Sequence, residues 1–269
     1  MVATPIGNLA DVSPRALDVL RAVPLVAAED TRVTRKLWTR FDIKTKLISY
    51  HAQSPASRRD ELLEHLASGN DLALVSDAGT PLVSDPGDDL VAAWAARGGT
   101  IVPIPGPSAA LAALVASGLP APRFAFEGFL PRRGKERRER LVAIATDDRA
   151  AIIFEAPGRA AATLSDLAAS CGTDRRASLS RELTKLHEDT WRGTLGELAA
   201  KAETEPPRGE VTIVVAGGEH EGGQPLIGLE EGRREVDRLV RAGMSRSSAA
   251  REVAGRTGLG RRELFREGG

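Results

Sequence analysis

The sequence predicts an α/β fold, with two α/β/α domains, a ligand cleft between them and a small helical C-terminal tail. In both halves, short apolar runs alternate with amphipathic or alanine-rich stretches, which is typical of strands joined by helical crossovers in a mostly parallel sheet. Turn-forming residues interrupt this alternation at 118–122 and predict a link between domains. We therefore expect domains at 1–117 and 118–225, followed by a tail at 226–269.

The composition restricts the class of protein. Lys and Arg number 37, as do Asp and Glu, so the formal net charge is zero and any polyanion site must be a local patch. The single cysteine, Cys171, excludes an internal disulfide and fits a reducing compartment. No run reaches the ~20 apolar residues of a membrane span, and no secretory signal is visible. A cytoplasmic protein with no membrane partner is therefore expected.

The first half alternates between the two element types. Ser13 and Pro14 supply an N-cap and a first-turn proline for the first helix. Ser57 with Asp60 is expected to cap the third helix, and Ser108 the last one. Strands are expected at about 1–3, 25–28, 46–49, 72–75 and 100–104, and helices at about 14–21, 32–40, 57–69, 88–97 and 108–117.

The second half repeats the alternation. Thr194 and Glu197 fit a capping box at the start of a helix. A glycine-rich break at 219–224 precedes short arginine-rich helices from about residue 229. Strands are expected at about 124–129, 151–155, 176–181, 190–193 and 211–216, and further helices at 135–146 and 160–170.

The loop at residues 75–87 is the richest in turn-forming residues. Two glycines, two prolines and the carboxylates Asp77 and Asp85 fall within it, after an apolar strand and before a helix. Such residues allow tight or left-handed backbone and then fix it. A rigid loop between a strand and a helix is where an α/β sheet presents a ligand site. A purely structural turn is the alternative.

Similar polar clusters follow other predicted strands. In an open α/β sheet, the loops at the carboxyl ends of the strands gather at one edge. Loops of this kind from both halves therefore predict a cleft between two domains, although each alone is also explained as an N-cap or a turn. The clusters lie at 4–8, 29–32, 50–53, 76–85, 105–108, 155–159 and 181–185.

Several common sites are missing from the sequence. No Gly-x-Gly-x-x-Gly follows a strand, so the usual dinucleotide fingerprint is absent. Residues 128–135 resemble a phosphate loop, but they have one spacer residue too many, and Glu136 stands where Ser or Thr must hold magnesium. The histidines and Cys171 have no zinc-ligand spacing, and His187 fits a surface role better. No metal is therefore expected.

Two arginine-rich stretches predict a polyphosphate partner, although charge runs are often only solvated helix faces. Acidic residues are outnumbered in both stretches. The basic residues are Arg132, Arg133, Lys135, Arg137, Arg138 and Arg140 in the first stretch, and Arg241, Arg246, Arg251, Arg256, Arg261, Arg262 and Arg266 in the second.

The ordered motifs identify a family. They are VATPIGNL at 2–9, AEDTR at 28–32, SYH at 49–51, the loop at 75–87, PIPGPSA at 103–109, FEGFLP at 126–131 and RELTK at 181–185. Together they resemble the small-subunit ribosomal RNA cytidine 2′-O-methyltransferase I family of the tetrapyrrole methylase superfamily. The resemblance implies a tetrapyrrole methylase-like fold with the active site in the interdomain cleft, S-adenosyl-L-methionine as cofactor, and a homodimer. It implies as substrate a cytidine ribose in the decoding region of 16S rRNA, in the 30S subunit.

The resemblance also implies roles for residues of this chain. The loop at 76–82 would lie against the cofactor, and the turns at 5–7 and 108–109 would close on it. Residues 155–157 and 182–185 would form the opposite wall. The implied cofactor-binding residues are Pro5, Gly7, Asp77, Ala78, Gly79, Thr80, Leu82, Ser108 and Ala109.

Methyl transfer to a hydroxyl needs alignment of the reactants and a group that removes the proton. The available bases are the carboxylates of Glu155, Glu182 and Asp30, or Lys185 with a lowered pKa. Arg32 would hold a phosphate or orient Asp30. We expect Glu182 and Lys185 to line the acceptor side, with a structural salt bridge between them as the alternative.

The chain departs from the family pattern in its first strand, which is usually longer in the family, and at two places further on. Residues 52–54 are Ala-Gln-Ser where the family tends to have Glu-His-Asn, and Gly158 stands where histidine is usual. These departures keep open a non-catalytic RNA-binding factor in ribosome assembly. A methylase of a porphyrin-like small molecule, with the same cofactor, is a further alternative. The arginine-rich stretches favour an RNA substrate over a small one.

Overall fold

The computed structural model describes residues 1–218, 228–257, 259 and 261–265. The chain divides into two compact units, Met1–Gly218 and Glu219–Gly269. The larger unit holds two sheets packed with helices, and the smaller unit is helical where it is described, which confirms the predicted fold class. The division of the larger unit into residues 1–117 and 118–225 stays a prediction.

The first sheet is parallel and has the order β2-β1-β3. Its strands are β1 (Leu25–Ala28), β2 (Lys46–Ser49) and β3 (Leu72–Val75). Leu25 pairs with Lys46 on one side and with Leu72 on the other. All of β1 is buried, as a continuous apolar run at the centre of a parallel sheet requires. The carboxyl ends of the strands thus meet at one edge.

The helices of the first half agree with the sequence except at one cap. Ser13 Oγ accepts the backbone N–H of Ala16 at 3.1 Å, as an N-cap does. The expected cap of the third helix by Ser57 and Asp60 is wrong, because this helix begins at Ala56 after Pro55 and Ser57 already lies in its first turn. The helices are α1 (Pro14–Ala22), α2 (Thr31–Phe41), α3 (Ala56–Ala67) and α4 (Asp88–Ala96).

Residues 1–3 and 100–104 are not strands, contrary to expectation. Val2 donates to Leu74 O at 3.0 Å and forms an isolated parallel bridge with Ile104. The two segments are joined by hydrogen bonds from Ile104 N to Met1 O at 2.8 Å and from Ala3 N to Ile104 O at 3.1 Å. The N-terminal residues nevertheless lie beside β3 and bring the following loop to the edge where the strands end.

The second sheet has the order β4-β5-β8-β6-β7. Only β4 and β5 pair in parallel; β8 is antiparallel to β5 and β6, and β7 is antiparallel to β6. The expected mostly parallel arrangement is therefore wrong for this sheet. Strand periodicity does not report strand order, and the fully buried β8 enters at the centre. The strands are β4 (Phe124–Phe129), β5 (Ala150–Glu155), β6 (Arg176–Arg181), β7 (Asp189–Thr194) and β8 (Val211–Val215).

The helix before the predicted link packs against the second sheet. Ala110 and Ala113 of this helix share a buried cluster with Ile152 and Val214. Arg192 donates to the carbonyl of Ala116 at 2.9 and 2.5 Å and so satisfies the end of the helix. The remaining helices of the larger unit are α5 (Ala109–Ser117), α6 (Lys135–Thr146), α7 (Ala160–Cys171) and α8 (Leu195–Thr204). The predicted capping box of α8 is present.

The smaller unit contains α9 (Leu229–Arg241), α10 (Arg246–Thr257) and α11 (Arg261–Phe265). Val236, Ala250 and Leu264 are among the residues of its own buried cluster. The predicted break at 219–224, the boundary at 225/226, Arg266 and the side chains of Arg256, Arg261 and Arg262 lie outside the described residues. Among the described helices, none has both the length and the apolar character that crossing a membrane demands.

Candidate active site

Two loops close on each other where the strands of the first sheet end. Thr4 donates to Gly79 O at 2.8 Å, and Gly79 donates back to Thr4 O at 3.1 Å. Gly79 has a φ of 80°, which an L side chain rarely adopts. A Cβ there would also lie 3.3 Å from Ile6 Cγ2. The glycine thus allows the loop after β3 and the N-terminal loop to form one surface.

The main cavity lies on this surface and has a volume of about 360 Å³. One wall is the loop after β3 with the start of α5, and the other is the end of β5 with the start of β8. This volume falls within the ~300–1,000 Å³ typical of small-molecule sites. The cavity brings together these predicted site residues: Ala78, Gly79, Thr80, Ser108, Ala109 and Glu155.

A second cavity of about 280 Å³ adjoins the main one, because Ile6, Ala78 and Glu210 line both. Leu82 lines neither of them; it packs instead into the apolar cluster beneath α3 and α4. The roles given to all these residues stay predictions. The second cavity brings together Pro5, Gly7, Asp77 and Lys185.

Backbone strain is concentrated beside the two cavities. Leu82 and Ser84, in the loop after β3, have φ angles of 73° and 71°. Glu182 and Thr184, in the loop between β6 and β7, have φ angles of 51° and 66°. Each left-handed non-glycine residue costs ~1–2 kcal/mol. Such strain clusters at functional sites, and both strained loops contribute residues to these cavities.

Acidic residues meet at the ends of β1 and β3. Asp77 Oδ1 accepts the backbone N–H of Asp30 at 2.9 Å, and Glu29 Oε2 accepts that of Asp77 at 3.3 Å. Arg32 pairs with Asp30 at 2.6 Å, and hydrogen bonds from Arg32 lower the pKa of Asp30 to about 2. The Asp30–Arg32 pair lines neither cavity. Among the described residues, no group of His, Cys, Asp and Glu is arranged to hold a metal ion.

Asp85 also lines the main cavity, although no role was predicted for it. Burial raises its pKa to about 6; a hydrogen bond from Ser76 opposes this rise, and the negative charges of Glu29 and Asp77 add to it. The sequence carried one signal, since Asp85 belongs to the cluster at 76–85. The Asp85 carboxyl is buried by residues that follow different strands, and membership of one sequence cluster does not indicate such burial.

Lys185 lies between two carboxylates on the opposite side. Its Nζ donates to Glu182 Oε1 at 2.9 Å and to Glu210 Oε2 at 3.3 Å. Burial lowers the pKa of Lys185, but hydrogen bonds and charges of both carboxylates outweigh burial, and the pKa is raised. A lysine base needs a lowered pKa. The structure therefore contains the salt bridge between Lys185 and Glu182 that is the alternative interpretation of these residues. Lys185 is a cation at neutral pH.

The Glu155 carboxylate has two hydrogen-bond donors and one ion-pair partner. It accepts the hydroxyl of Thr163 at 2.6 Å and the backbone N–H of Ala156 at 2.8 Å, and Arg159 lies at 3.3 Å. Arg137 in turn donates to Thr163 Oγ1 at 3.1 Å. This buried network holds the chain at Ala156, where it lines the main cavity.

The first basic stretch divides into buried and exposed arginines. Arg137 is buried and pairs with Asp166 at 2.7 Å, so its expected place in a basic patch for a polyphosphate is wrong. Helical periodicity explains this, because Leu141 and Ile144 of α6 are buried on the same side. The exposed arginines that have no ion-pair partner among the described residues are Arg132, Arg133 and Arg138.

Comparisons with known proteins identify the family. The model of the Tetrapyrrole (Corrin/Porphyrin) Methylases matches residues 1–199. A Synechocystis sp. protein named ribosomal RNA small subunit methyltransferase I is 47% identical over 265 residues, which cover 98% of this chain and 95% of that protein. A protein of the same name from Xylella fastidiosa is 45% identical, over 98% of this chain and 96% of its own. The chain belongs to the ribosomal RNA small subunit methyltransferase I family.

Membership of this methyltransferase family confirms the resemblance carried by the motifs. A solved structure also shares the fold: uroporphyrin-III C-methyl transferase from Thermus thermophilus, complexed with S-adenyl homocysteine. It matches with a TM-score of 0.56 and 21% identity, over 79% of this chain and 94% of that one. At this identity the likeness concerns the fold alone, and it agrees with the predicted tetrapyrrole methylase-like architecture.

Proposed function

We propose that this methyltransferase modifies a ribose 2′-hydroxyl of a cytidine in the decoding region of 16S rRNA. The observation that carries the proposal is the 47% identity, over 98% of the chain, to a protein named ribosomal RNA small subunit methyltransferase I. The choice of cytidine and of the 2′-oxygen rests on the ordered motifs from residue 2 to residue 185. The 30S subunit and a homodimer stay predictions for the substrate particle and the oligomer.

The predicted cofactor, S-adenosyl-L-methionine, is confirmed for the family, and the main cavity fits it. When bound, it supplies an electrophilic methyl group on a positively charged sulfur. Phe129 and Phe154 offer aromatic surface for a purine, and Gly79 lets the backbone approach a ligand closely. An apolar cavity with a few converging polar groups is typical of a cofactor site.

The main task of the residues around the cavities is to position the two reactants. Methyl transfer needs the attacking oxygen in line with the bond that breaks, and holding that geometry is a large part of catalysis. The loop after β3 and the start of α5 form one rigid side of the cavity, and the network around Glu155 fixes the other. At the second cavity, Lys185 pairs with Glu182 and Glu210 and so ties the loop between β6 and β7 to the start of β8.

Exposed arginines support an RNA substrate. In the larger unit, Arg132, Arg133 and Arg138 lie on or beside α6 with their side chains exposed. In the smaller unit, Arg241 and Arg251 are exposed as well. A neutral chain needs such local patches to bind a polyanion.

The proposal is tested by mapping 2′-O-methyl groups in 16S rRNA from cells with and without the gene. Loss of one methylated cytidine in the decoding region, restored by the gene, is the expected result. Unchanged rRNA together with methylation of a porphyrin-like compound would favour a small-molecule methylase. Calorimetry that detects no binding of S-adenosyl-L-methionine would favour the non-catalytic assembly factor.

A further inference from the structure

We propose that Asp85 accepts the proton of the acceptor hydroxyl during methyl transfer. This inference rests on the proposed function and deepens it, because the bases expected from the sequence were Glu155, Glu182, Asp30 and Lys185.

The first support is position. Asp85 lines the main cavity together with Gly79 and with Ala156 at the end of β5. The chain reaches this position through Leu82 and Ser84, whose left-handed φ angles of 73° and 71° are unfavourable for non-glycine residues. Strain of this kind is typical of loops that place a reactive group.

The second support is the electrostatic environment. The charged groups that act on Asp85 are Glu29 at the end of β1 and Asp77 after β3, and both are acidic. The other charged residues that line the main cavity, Glu155 and Glu210, are acidic as well. Burial and the two acidic neighbours raise the pKa of Asp85 to about 6 against a hydrogen bond from Ser76. A base is most effective when its pKa lies near the working pH.

The third support is comparison with the expected bases. Glu155 is held by Thr163, Ala156 and Arg159. Hydrogen bonds lower the pKa of Asp30 to about 2, and the hydrogen bond from Lys185 lowers that of Glu182. Each of these carboxylates is therefore a weaker base than Asp85 or is already occupied.

The proposed step balances without a further reactant. A lone pair of the ribose oxygen forms the new bond to the methyl carbon, and the carbon–sulfur bond breaks with its electron pair left on sulfur. The hydroxyl proton moves to a carboxylate oxygen of Asp85. A carboxyl group with a pKa of about 6 then releases this proton to water at neutral pH.

The test compares D85N with wild type and with D88N, which changes an exposed carboxylate at the start of α4. We expect D85N to slow methylation of 30S subunits by ~10²- to 10⁴-fold. The wild-type rate should rise with pH through about 6, and the residual D85N rate should lack this rise. D88N should match wild type. Calorimetry should give D85N an affinity for S-adenosyl-L-methionine close to that of wild type.

Carbon-13 NMR of the folded protein supplies a readout that does not depend on turnover. A carboxyl signal should titrate near pH 6 in wild type and be missing in D85N. Ser76→Ala removes the hydrogen bond that stabilises the charged form, so it should shift both this titration and the rise in rate to higher pH. This second variant keeps the proposal testable if D85N does not fold.

Three results would overturn the proposal: a D85N rate close to wild type, a loss of cofactor affinity that accounts for the lost rate, or a rate profile that Ser76→Ala leaves unmoved. If wild type and D85N are both active, the role of Asp85 is wrong and the proposed function still stands. A wild type that leaves 16S rRNA unmethylated overturns the proposed function as well.

Discussion

The two walls of the main cavity hold their carboxylates in opposite ways. On the wall from the second sheet, Glu155 has partners in Thr163, Ala156 and Arg159. On the wall from the first sheet, Asp85 has two acidic neighbours and the hydroxyl of Ser76, which also donates to Ala78 O at 3.3 Å. A carboxylate with several partners is held in one place, whereas one with few partners can change its protonation state during a reaction.

The same difference extends beyond these two residues. Burial raises the pKa values of Glu29 and Asp77 on the first-sheet side. On the second-sheet side, the hydrogen bond from Lys185 lowers the pKa of Glu182. The first wall therefore carries an unfavourable concentration of negative charge, which is common where function has been favoured over stability. The second wall contributes stability and a fixed shape.

The largest effect should come from breaking the second wall. Arg137 is buried and donates to Pro131 O, Thr163 Oγ1 and Asp166. Arg137→Met keeps much of the side-chain volume but leaves these acceptors without their donor. We expect a loss of about 3 kcal/mol in the free energy of unfolding, measured by denaturant titration.

Arg138→Met is the matched control for stability, because Arg138 is the next residue of α6 and is exposed. Its free energy of unfolding should stay within about 0.5 kcal/mol of wild type. Equal losses in the two variants would mean that the network around Glu155 does not stabilise the second wall.

Some features of the fold could be predicted from the sequence and others could not. The alternation of strands and helices, the cap at Ser13 and the capping box at Thr194 were predictable, because they depend on neighbouring residues. The central antiparallel place of β8 was not, since it depends on pairing with distant strands.

The candidate site follows the same rule. The meeting of Gly79 and Ser108 in one cavity could be predicted, since both loops follow predicted strands of one sheet. The burial of Arg137 and the raised pKa of Asp85 could not, since both depend on side chains brought from other elements. A run of charges in a sequence does not say which of its members has a partner.

The next prediction tests the first wall through its glycine. Gly79 and Gly69 have nearly equal φ angles of 80° and 83°. A Cβ at Gly79 meets Ile6 and Pro107, whereas one at Gly69 meets nothing within 4 Å. Both alanine variants should lose ~1–2 kcal/mol of stability from left-handed strain. Only Gly79→Ala should also weaken calorimetric binding of S-adenosyl-L-methionine, by about tenfold or more. Equal affinities in the two variants would separate this loop from the cofactor.

A smaller effect should appear in the stability of D85N. The folded pKa of about 6 lies above the unfolded value of ~3.9, so the folded state binds this proton more tightly. Asp85 therefore lowers stability above pH 6, and the penalty disappears as the pH falls toward 4. Allowing for its partial exposure, D85N should be about 1 kcal/mol more stable than wild type at pH 8. Denaturant titrations at pH 8 and 4.5 check this, and a gain of equal size at both would contradict it.

The smallest effect concerns the outer surface of the second half. Arg138 is exposed without an ion-pair partner among the described residues, so its charge is available to a phosphate. If RNA binds there, Arg138→Met should weaken binding to 30S subunits by a few-fold and reduce the slope of log affinity against log salt by about 1. Filter binding over a range of salt concentrations measures both quantities.

Arg15→Met provides the control, because Arg15 is an exposed arginine of α1 and belongs to neither basic stretch. Its salt slope should equal that of wild type. A reduced slope in both variants would point to diffuse attraction between the chain and RNA. A reduced slope in Arg138→Met alone, with stability unchanged, would assign RNA contact to the same helix whose buried side carries Arg137 and supports the second wall.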